Sequence, residues 1–310
     1  MKAKGALALK VLTAALILPL FTCACSRPPR KAAAEGRPKV LAIENFLADA
    51  AAHVAGDRFS VQALLPVGAD PHEYEPSPLD VAKVSEASLV IANGAGFEGF
   101  LATLVRNASP AGNGGGPVIL EASAGLVGRA SGAGELDPHF FLDPIHMIRY
   151  VENIRDAFSA LDAGNTRYFQ DNAAAYIAEL RALDRWIDSE VGRIPQKERL
   201  LVTNHESLGY FADRYGFTIL GTILPGTSSA ASASARQIAL LTERIARSGV
   251  KAIFLETGTS ARLAEQVASE AGIETVTELY THSLSAPDGP APTYIDMMRY
   301  NARAIVEGLL

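Results

Sequence analysis

The chain has 310 residues, of which 48% are hydrophobic and 20% charged, a balance too apolar for a disordered polymer. The net charge of −6 argues against nucleic acid as a partner, because phosphate binding wants a basic surface. Roughly 285 residues remain once the N-terminus is set aside, enough for two lobes of ordinary domain size, each with a core.

The N-terminus has the pattern of an export signal. Lys2, Lys4 and Lys10 form a positive opening, and Val11 to Phe21 is apolar but too short for a transmembrane span. Thr22-Cys23-Ala24-Cys25-Ser26 comes next and holds the only two cysteines in the chain. Small residues before Cys25 and Ser26 after it fit a lipoprotein signal with Cys25 as the lipidated first residue, although Thr22 stands where a leucine is usual. Arg27 to Pro38, rich in Pro, Ala and basic residues, then forms a flexible tether. The body beyond it has no further cysteine, so it can form no internal disulfide and offers no thiolate to a metal.

From Val40 onward, short apolar runs alternate with longer amphipathic stretches. Strands are expected at Val40–Glu44, Phe59–Leu65, Leu89–Ala92, Val118–Leu120, Leu200–Thr203, Thr218–Leu220, Ala252–Glu256 and Thr275–Thr277. Helices are expected near Leu47–Val54, Pro78–Glu86, Phe97–Arg106, Ala235–Arg247, Ala261–Ala271 and Pro292–Leu309. This alternation implies βαβ units and mainly parallel sheets, and the strands fall into two groups of four. Between the groups, apolar residues at spacings of three and four (Ile148, Val151, Ile154, Phe158; Tyr176, Leu180, Leu183, Ile187) predict helix. Gly164 and Asn165 break it, and Thr166 can cap the helix after the break. A long helix from about Thr166 to Val191 would join the lobes and damp hinge opening. Ser109 to Gly134, poor in charge and rich in Gly, Ala and Ser, is expected as loop around one edge strand. The resulting division is a signal over 1–24, a tether over 25–38, an α/β lobe over 39–165, a linking helix over 166–192 and a second α/β lobe over 193–310.

Four of the six histidines share a setting. His72, His205 and His282 lie in loops after expected strands, and His139 lies in Asp137-Pro-His-Phe-Phe-Leu-Asp-Pro144. Separations of 67, 66 and 77 residues preclude pairing on one helix. In open parallel sheets, loops at the carboxyl ends of strands converge on a ligand crevice, so two ligands from each lobe would meet between the lobes. Spacing this long is not a metal signature in itself, and a lone histidine is more often a surface or satisfied core residue. His53 and His146 fall in or beside expected helices and are taken as structural.

The words around these histidines are more specific. Pro66-Val-Gly-Ala-Asp-Pro-His-Glu-Tyr-Glu-Pro-Ser-Pro78, Asp137–Pro144, Thr203-Asn-His-Glu-Ser-Leu-Gly-Tyr-Phe-Ala-Asp-Arg-Tyr-Gly216, Ile253-Phe-Leu-Glu-Thr257 and Thr293-Tyr-Ile-Asp-Met-Met-Arg-Tyr-Asn301 come in the order and spacing of one family. The chain resembles the zinc/manganese ABC-transporter solute-binding proteins across essentially its whole exported length. The resemblance implies two (β/α) lobes joined by one long helix, with metal held between them and passed to an ABC permease. It implies ligands at His72, His139 and His205; the third place is glutamate in manganese-type members. The fourth family ligand is usually acidic, and here His282 stands in its place, with Asp288 or Asp296 as substitutes if the loop folds differently. The histidine-rich acidic loop of many zinc-type members has no counterpart in Ser109–Gly134.

Imidazole nitrogen suits Zn²⁺, whereas Mn²⁺ is better served when carboxylates contribute. Four neutral ligands leave the site at +2, so carboxylates behind them should orient the rings. Glu73, Glu206, Asp137 and Asp143, adjacent in sequence, are the candidates. The expected protein is therefore a monomeric, non-enzymatic zinc carrier outside the cytoplasm, in a periplasm or on an outer cell face, touching the membrane through Cys25 alone. A zinc hydrolase would need an open coordination position and a general base, and no His-Glu-x-x-His occurs. A surface adhesin has no feature in its favour, and a siderophore or haem carrier would want arginines and aromatics where the histidines stand. Cys25→Ala is expected to release the protein from membranes into a soluble extracytoplasmic fraction, checked by fractionation and immunoblotting; a wild type already wholly soluble would refute the lipid anchor.

Overall fold

Runs of four to six residues cannot bury their own backbone groups, so each expected strand depends on a parallel neighbour. The computed structural model describes residues 37–109, 116–131, 134, 136–258 and 260–310, with the backbone alone for 274–278. The expected signal, Cys25 and nearly all of the tether lie outside the described residues, as does part of the 109–134 loop.

Strands β1 (Lys39–Ala42), β2 (Ser60–Ala63), β3 (Leu89–Ala92) and β4 (Val118–Glu121) form a sheet in the order β2-β1-β3-β4. Strands β5 (Leu200–Thr203), β6 (Thr218–Thr222), β7 (Ala252–Glu256) and β8 (Glu274–Leu279) form a second in the order β6-β5-β7-β8. All ladders in both are parallel. Each order reverses once, between β1 and β3 and between β5 and β7, which is where doubly wound sheets open a crevice at their carboxyl ends.

The helices are α1 (Asn45–Ala55), α2 (Pro78–Glu86), α3 (Leu101–Ala108), α4 (Pro144–Leu161), α5 (Thr166–Val191), α6 (Gly209–Tyr215), α7 (Ala235–Ser248), α8 (Arg262–Ala271) and α9 (Tyr294–Leu309). Helix α2 starts at Pro78 because Ser77 and Asp80 form a reciprocal capping box around the first turn. Helix α3 starts four residues later than expected. Gly94, Ala95 and Gly96 take positive φ angles of 82°, 56° and 80°, making the chain turn sharply after β3 before it can coil. Thr166 does not cap α5: it lies inside the helix, and its hydroxyl donates to Ala163 O. The seven-residue α6 falls where the apolar pattern predicts no helix; its φ of 71° at Gly216 ends it.

Helix α5 buries Phe169, Ala173, Tyr176, Leu180, Leu183, Ile187 and Val191 along one face. It packs on α1 and α4 from the first lobe and on α9 from the second. One core cluster runs through all of them, from Val40 and Phe46 to Phe254, Met297 and Val306. Asp49 on α1 fastens the junction, accepting from Tyr176 Oη on α5 at 3.3 Å and from the Tyr294 backbone on α9 at 3.0 Å. Two smaller clusters fill the outer layers, one around Val84 and Leu104 and the other around Ile245 and Val267. No helix among the described residues is long and apolar enough to cross a membrane.

Candidate metal centre

The loops that leave the carboxyl edges of both sheets bring His72, His139, His205 and His282 to one point. One ring nitrogen from each lies within 4.8 Å of the others. His139 Nε2 stands 3.4 Å from both His72 Nε2 and His205 Nε2. His139 and His205 are fully buried, His282 is 7% exposed, and His72 is half-buried. Two clefts flank the cluster, about 470 Å³ beside His282 and about 300 Å³ beside His72. Phe97, fully buried, sets its ring edge-on to His72 and His139 at centroid distances of 4.9 and 5.4 Å and forms an apolar wall.

Local sequence explains how each ring is held. Asp-Pro-His occurs twice, and both times the aspartate accepts the backbone N–H of the histidine two residues on, Asp70 Oδ1 from His72 at 2.8 Å and Asp137 Oδ1 from His139 at 3.0 Å. The same Asp137 oxygen lies 2.9 Å from His139 Nδ1, which turns Nε2 toward the cluster. Arg129 joins Asp137 at 3.2 Å and Asp213 on α6 at 3.0 Å, tying the lobes behind His139. Glu256 Oε2 at the end of β7 stands 2.9 Å from His205 Nδ1, and Ser207 Oγ donates to its other oxygen at 2.7 Å. His282 points Nδ1 toward Asp70 at 3.8 Å, while its Nε2 is buried with no hydrogen-bond partner among the described residues. Its loop is clasped across the lobes: Asn45 Nδ2 and Gly68 N both donate to Ser283 Oγ at 2.8 Å, and Leu284 N donates to Asn45 Oδ1.

These surroundings separate the four rings electrostatically. Burial, then the neighbouring imidazoles His282, His139 and His205, push the His72 pKa down to about 2. Burial likewise holds His139 well below its ordinary value and lowers His282. Burial also acts against the charged form of His205, but the Glu256 carboxylate outweighs it and raises the His205 pKa. Glu256 in turn falls to about 2, its own burial being overcome by His205. Three rings therefore favour the neutral form, whereas Glu256 favours the protonated form of His205.

Of the four carboxylates expected behind the rings, Asp137 takes that place, while Asp143 and Glu73 do not. Asp143 caps α4 through Ile145 N. Glu73 is exposed on the wall of the larger cleft. Asp70 and Glu256 take the role instead. The repeated Asp-Pro-His was a usable signal for Asp70, whereas Glu256 arrives from another strand and no local spacing reveals it. Asp296 completes the cap of α9 with Thr293, and Asp288 is exposed, so neither belongs to the cluster. His53 stacks on Tyr176, and His146 sits against Phe140 and Tyr210, both away from it.

Residues 40–308 match the family model described as the zinc-uptake complex component A, periplasmic (ZnuA). The chain belongs to this family. Curated relatives include the manganese-binding lipoprotein MntA of Halalkalibacterium halodurans, 30% identical over 296 residues that cover 95% of this chain and 96% of that one. The manganese ABC transporter substrate-binding lipoprotein PsaA of Streptococcus pneumoniae is 30% identical over 294 residues, covering 92% and 93%. Among solved structures, the periplasmic zinc-binding protein TroA from Treponema pallidum superposes with a TM-score of 0.81 at 26% identity, covering 88% of this chain and 99% of that one. A Mn-bound periplasmic metal-binding protein from Candidatus Liberibacter asiaticus gives 0.78 at 28% identity, covering 88% and 100%. The chain is thus a metal-binding substrate-binding protein of the ABC-transporter type, a family of carriers rather than enzymes.

Glu256→Gln removes the charge that holds a proton on His205. The His205 pKa of the metal-free protein is expected to drop, since burial then acts unopposed, and metal affinity to fall by about 10- to 100-fold. NMR titration of the imidazole and a chelator competition check the two halves.

Proposed function

We propose that His72, His139, His205 and His282 are the ligands of Zn²⁺, and that the protein captures this ion outside the cytoplasm and delivers it to an ABC importer. One observation carries the reading: four imidazole nitrogens gather within 4.8 Å with no carboxylate among them. A tetrahedral Zn²⁺ with bonds of about 2.0–2.1 Å separates its ligand nitrogens by about 3.3–3.4 Å, and two of the pairs stand at 3.4 Å. Charge favours the same reading. A divalent cation here would face Glu256, ionised, and Asp70, which His282 and hydrogen bonds from Ser229 and His72 hold below its ordinary value despite burial. Asp137 is matched by Arg129. The negative charges of Glu256 and Asp70 offset the +2 of the ion without entering its coordination shell.

The ion itself would come between the lobe over 39–165 and the lobe over 193–310, on either side of the helix over 166–192. Tethering through Cys25 agrees with relatives that are named lipoproteins. We take the carrier to act as a monomer. Mn²⁺ is the second reading, favoured by relatives named for manganese. Against it stands the donor set, since Mn²⁺ prefers sites with oxygen ligands.

Zn²⁺ is expected to bind at least about 100-fold more tightly than Mn²⁺ in direct competition. His282→Asp should retain binding and shift the preference toward Mn²⁺, whereas His53→Ala and His146→Ala should change nothing. Equal wild-type affinities for the two ions in a titration would refute the zinc assignment.

Protons compete with the metal for the rings. Because the His205 pKa is raised, this ring charges first as pH falls, so Zn²⁺ affinity is expected to start declining above the ordinary imidazole value of about 6.5. His72, His139 and His282 stay neutral further down, so the early decline should show one proton released per ion bound. Calorimetry in buffers of different ionisation enthalpy measures that number; an affinity flat between about pH 8 and about pH 5 would exclude His205 as a ligand.

A further inference from the structure

The two sheets reverse direction at equivalent places, and each reversal carries a pair of side chains. In the second sheet the pair is His205 after β5 and Glu256 at the end of β7. In the first sheet it is two carboxyl groups. Glu44 comes after β1 and is the residue before α1, and Glu98 closes the turn after β3. Their exposures are 0% and 6%. Neither oxygen of Glu44 accepts a hydrogen bond from a donor among the described residues. Ile43 N donates to Ile91 O, which sets Glu44 beside the Asn93 turn whose backbone N–H groups Glu98 holds, and the two carboxyls act on each other there. Glu98 is anchored differently: its two oxygens accept the backbone N–H groups of Asn93 and Gly94.

Two adjacent buried carboxyls cannot both ionise, and an ionised one with no donor is strongly disfavoured. Backbone donors keep Glu98 as the acceptor, which leaves Glu44 as the acid that donates to it. Burial and Glu98 both push the Glu44 pKa well up, and burial carries Glu98 to about 7. The other ionisable groups nearby do not alter the balance. Tyr150 on α4 donates to Asn93 Oδ1, with its own pKa driven upward by burial and by both glutamates. Glu121 at the end of β4 lies against Gly94 and is exposed.

The pair sits where the first lobe's supports for the metal centre meet. Asn45, next to Glu44, clasps the His282 loop. Phe97, next to Glu98, walls His72 and His139. Asn93 donates to Pro138 O, adjacent to His139, at 3.0 Å. We propose that Glu44 and Glu98 share a single proton, and that this proton latches the β1–α1 turn to the β3–α3 turn and so positions the first lobe's half of the metal site. Losing the proton places two like charges between the turns and loosens Asn45 and Phe97 together. Only the metal half of this proposal rests on the zinc reading.

The test compares wild type with Glu44→Gln, whose amide can donate to Glu98 at any pH. In metal-free protein near pH 7.5 or so, infrared difference spectra should show the carbonyl stretch of a neutral carboxyl group that Glu44→Gln lacks. Wild-type stability should fall relative to the variant as pH rises from about 5 to about 8, because the raised carboxyl pKa values favour the folded state only while the proton is held. One linked proton changes the folding constant by up to about tenfold per pH unit. Zn²⁺ affinity at about pH 9 relative to about pH 7 should likewise drop more in wild type than in the variant. Absence of the neutral-carboxyl band, or parallel stability curves, would overturn the shared proton. Both metal-free signatures with identical Zn²⁺ pH profiles would overturn the latch. If neither protein binds Zn²⁺, the ligand assignment fails while the metal-free signatures still decide the proton.

Discussion

A parallel sheet sends every strand's carboxyl end the same way, and the rest of this molecule depends on that constraint. Facing two such edges toward each other brings loops that are 66 to 77 residues apart in sequence onto one point. No single element could do this, and none of the four histidines lies on a helix or within a strand. The strands supply rigid roots, and the short turns after them supply reach.

The second organising principle is electrostatic. Burial favours the neutral form of His72, His139 and His282, which on its own leaves nothing to attract a cation from water. Attraction comes from behind, through Asp70 and Glu256, while the Arg129–Asp137 pair orients His139 without adding net charge. Imidazoles in front and carboxylates one layer back would let such a site discriminate by donor type as well as by charge.

Much of this was legible in the chain itself. Alternating apolar runs predicted both four-stranded sheets, and the 3–4 spacing of Tyr176, Leu180, Leu183 and Ile187 predicted the long helix that buries those residues. Resemblance, more than spacing, singled out the histidines. What stayed hidden was anything that depends on strand order. Glu256 reaches His205 only because β7 lies next to β5, and Glu44 meets Glu98 only because β3 lies next to β1. The sequence neighbours Glu206 and Asp143 looked better placed than either. Covalent adjacency is a poor guide when the partner comes from a neighbouring strand. Backbone demands were also missed where they cut against pattern, as in the left-handed run at Gly94–Gly96 that delays α3.

Helix α5 and the core that crosses it bear on how cargo leaves. A shared apolar interior, riveted at Asp49, makes wide separation of the lobes costly, because opening would expose that interior to water. If the four histidines hold the ion as proposed, unloading would proceed by exchange of ligands at the site, without wide separation of the lobes. His72, the most exposed of the four rings, would be the first that an incoming donor reaches.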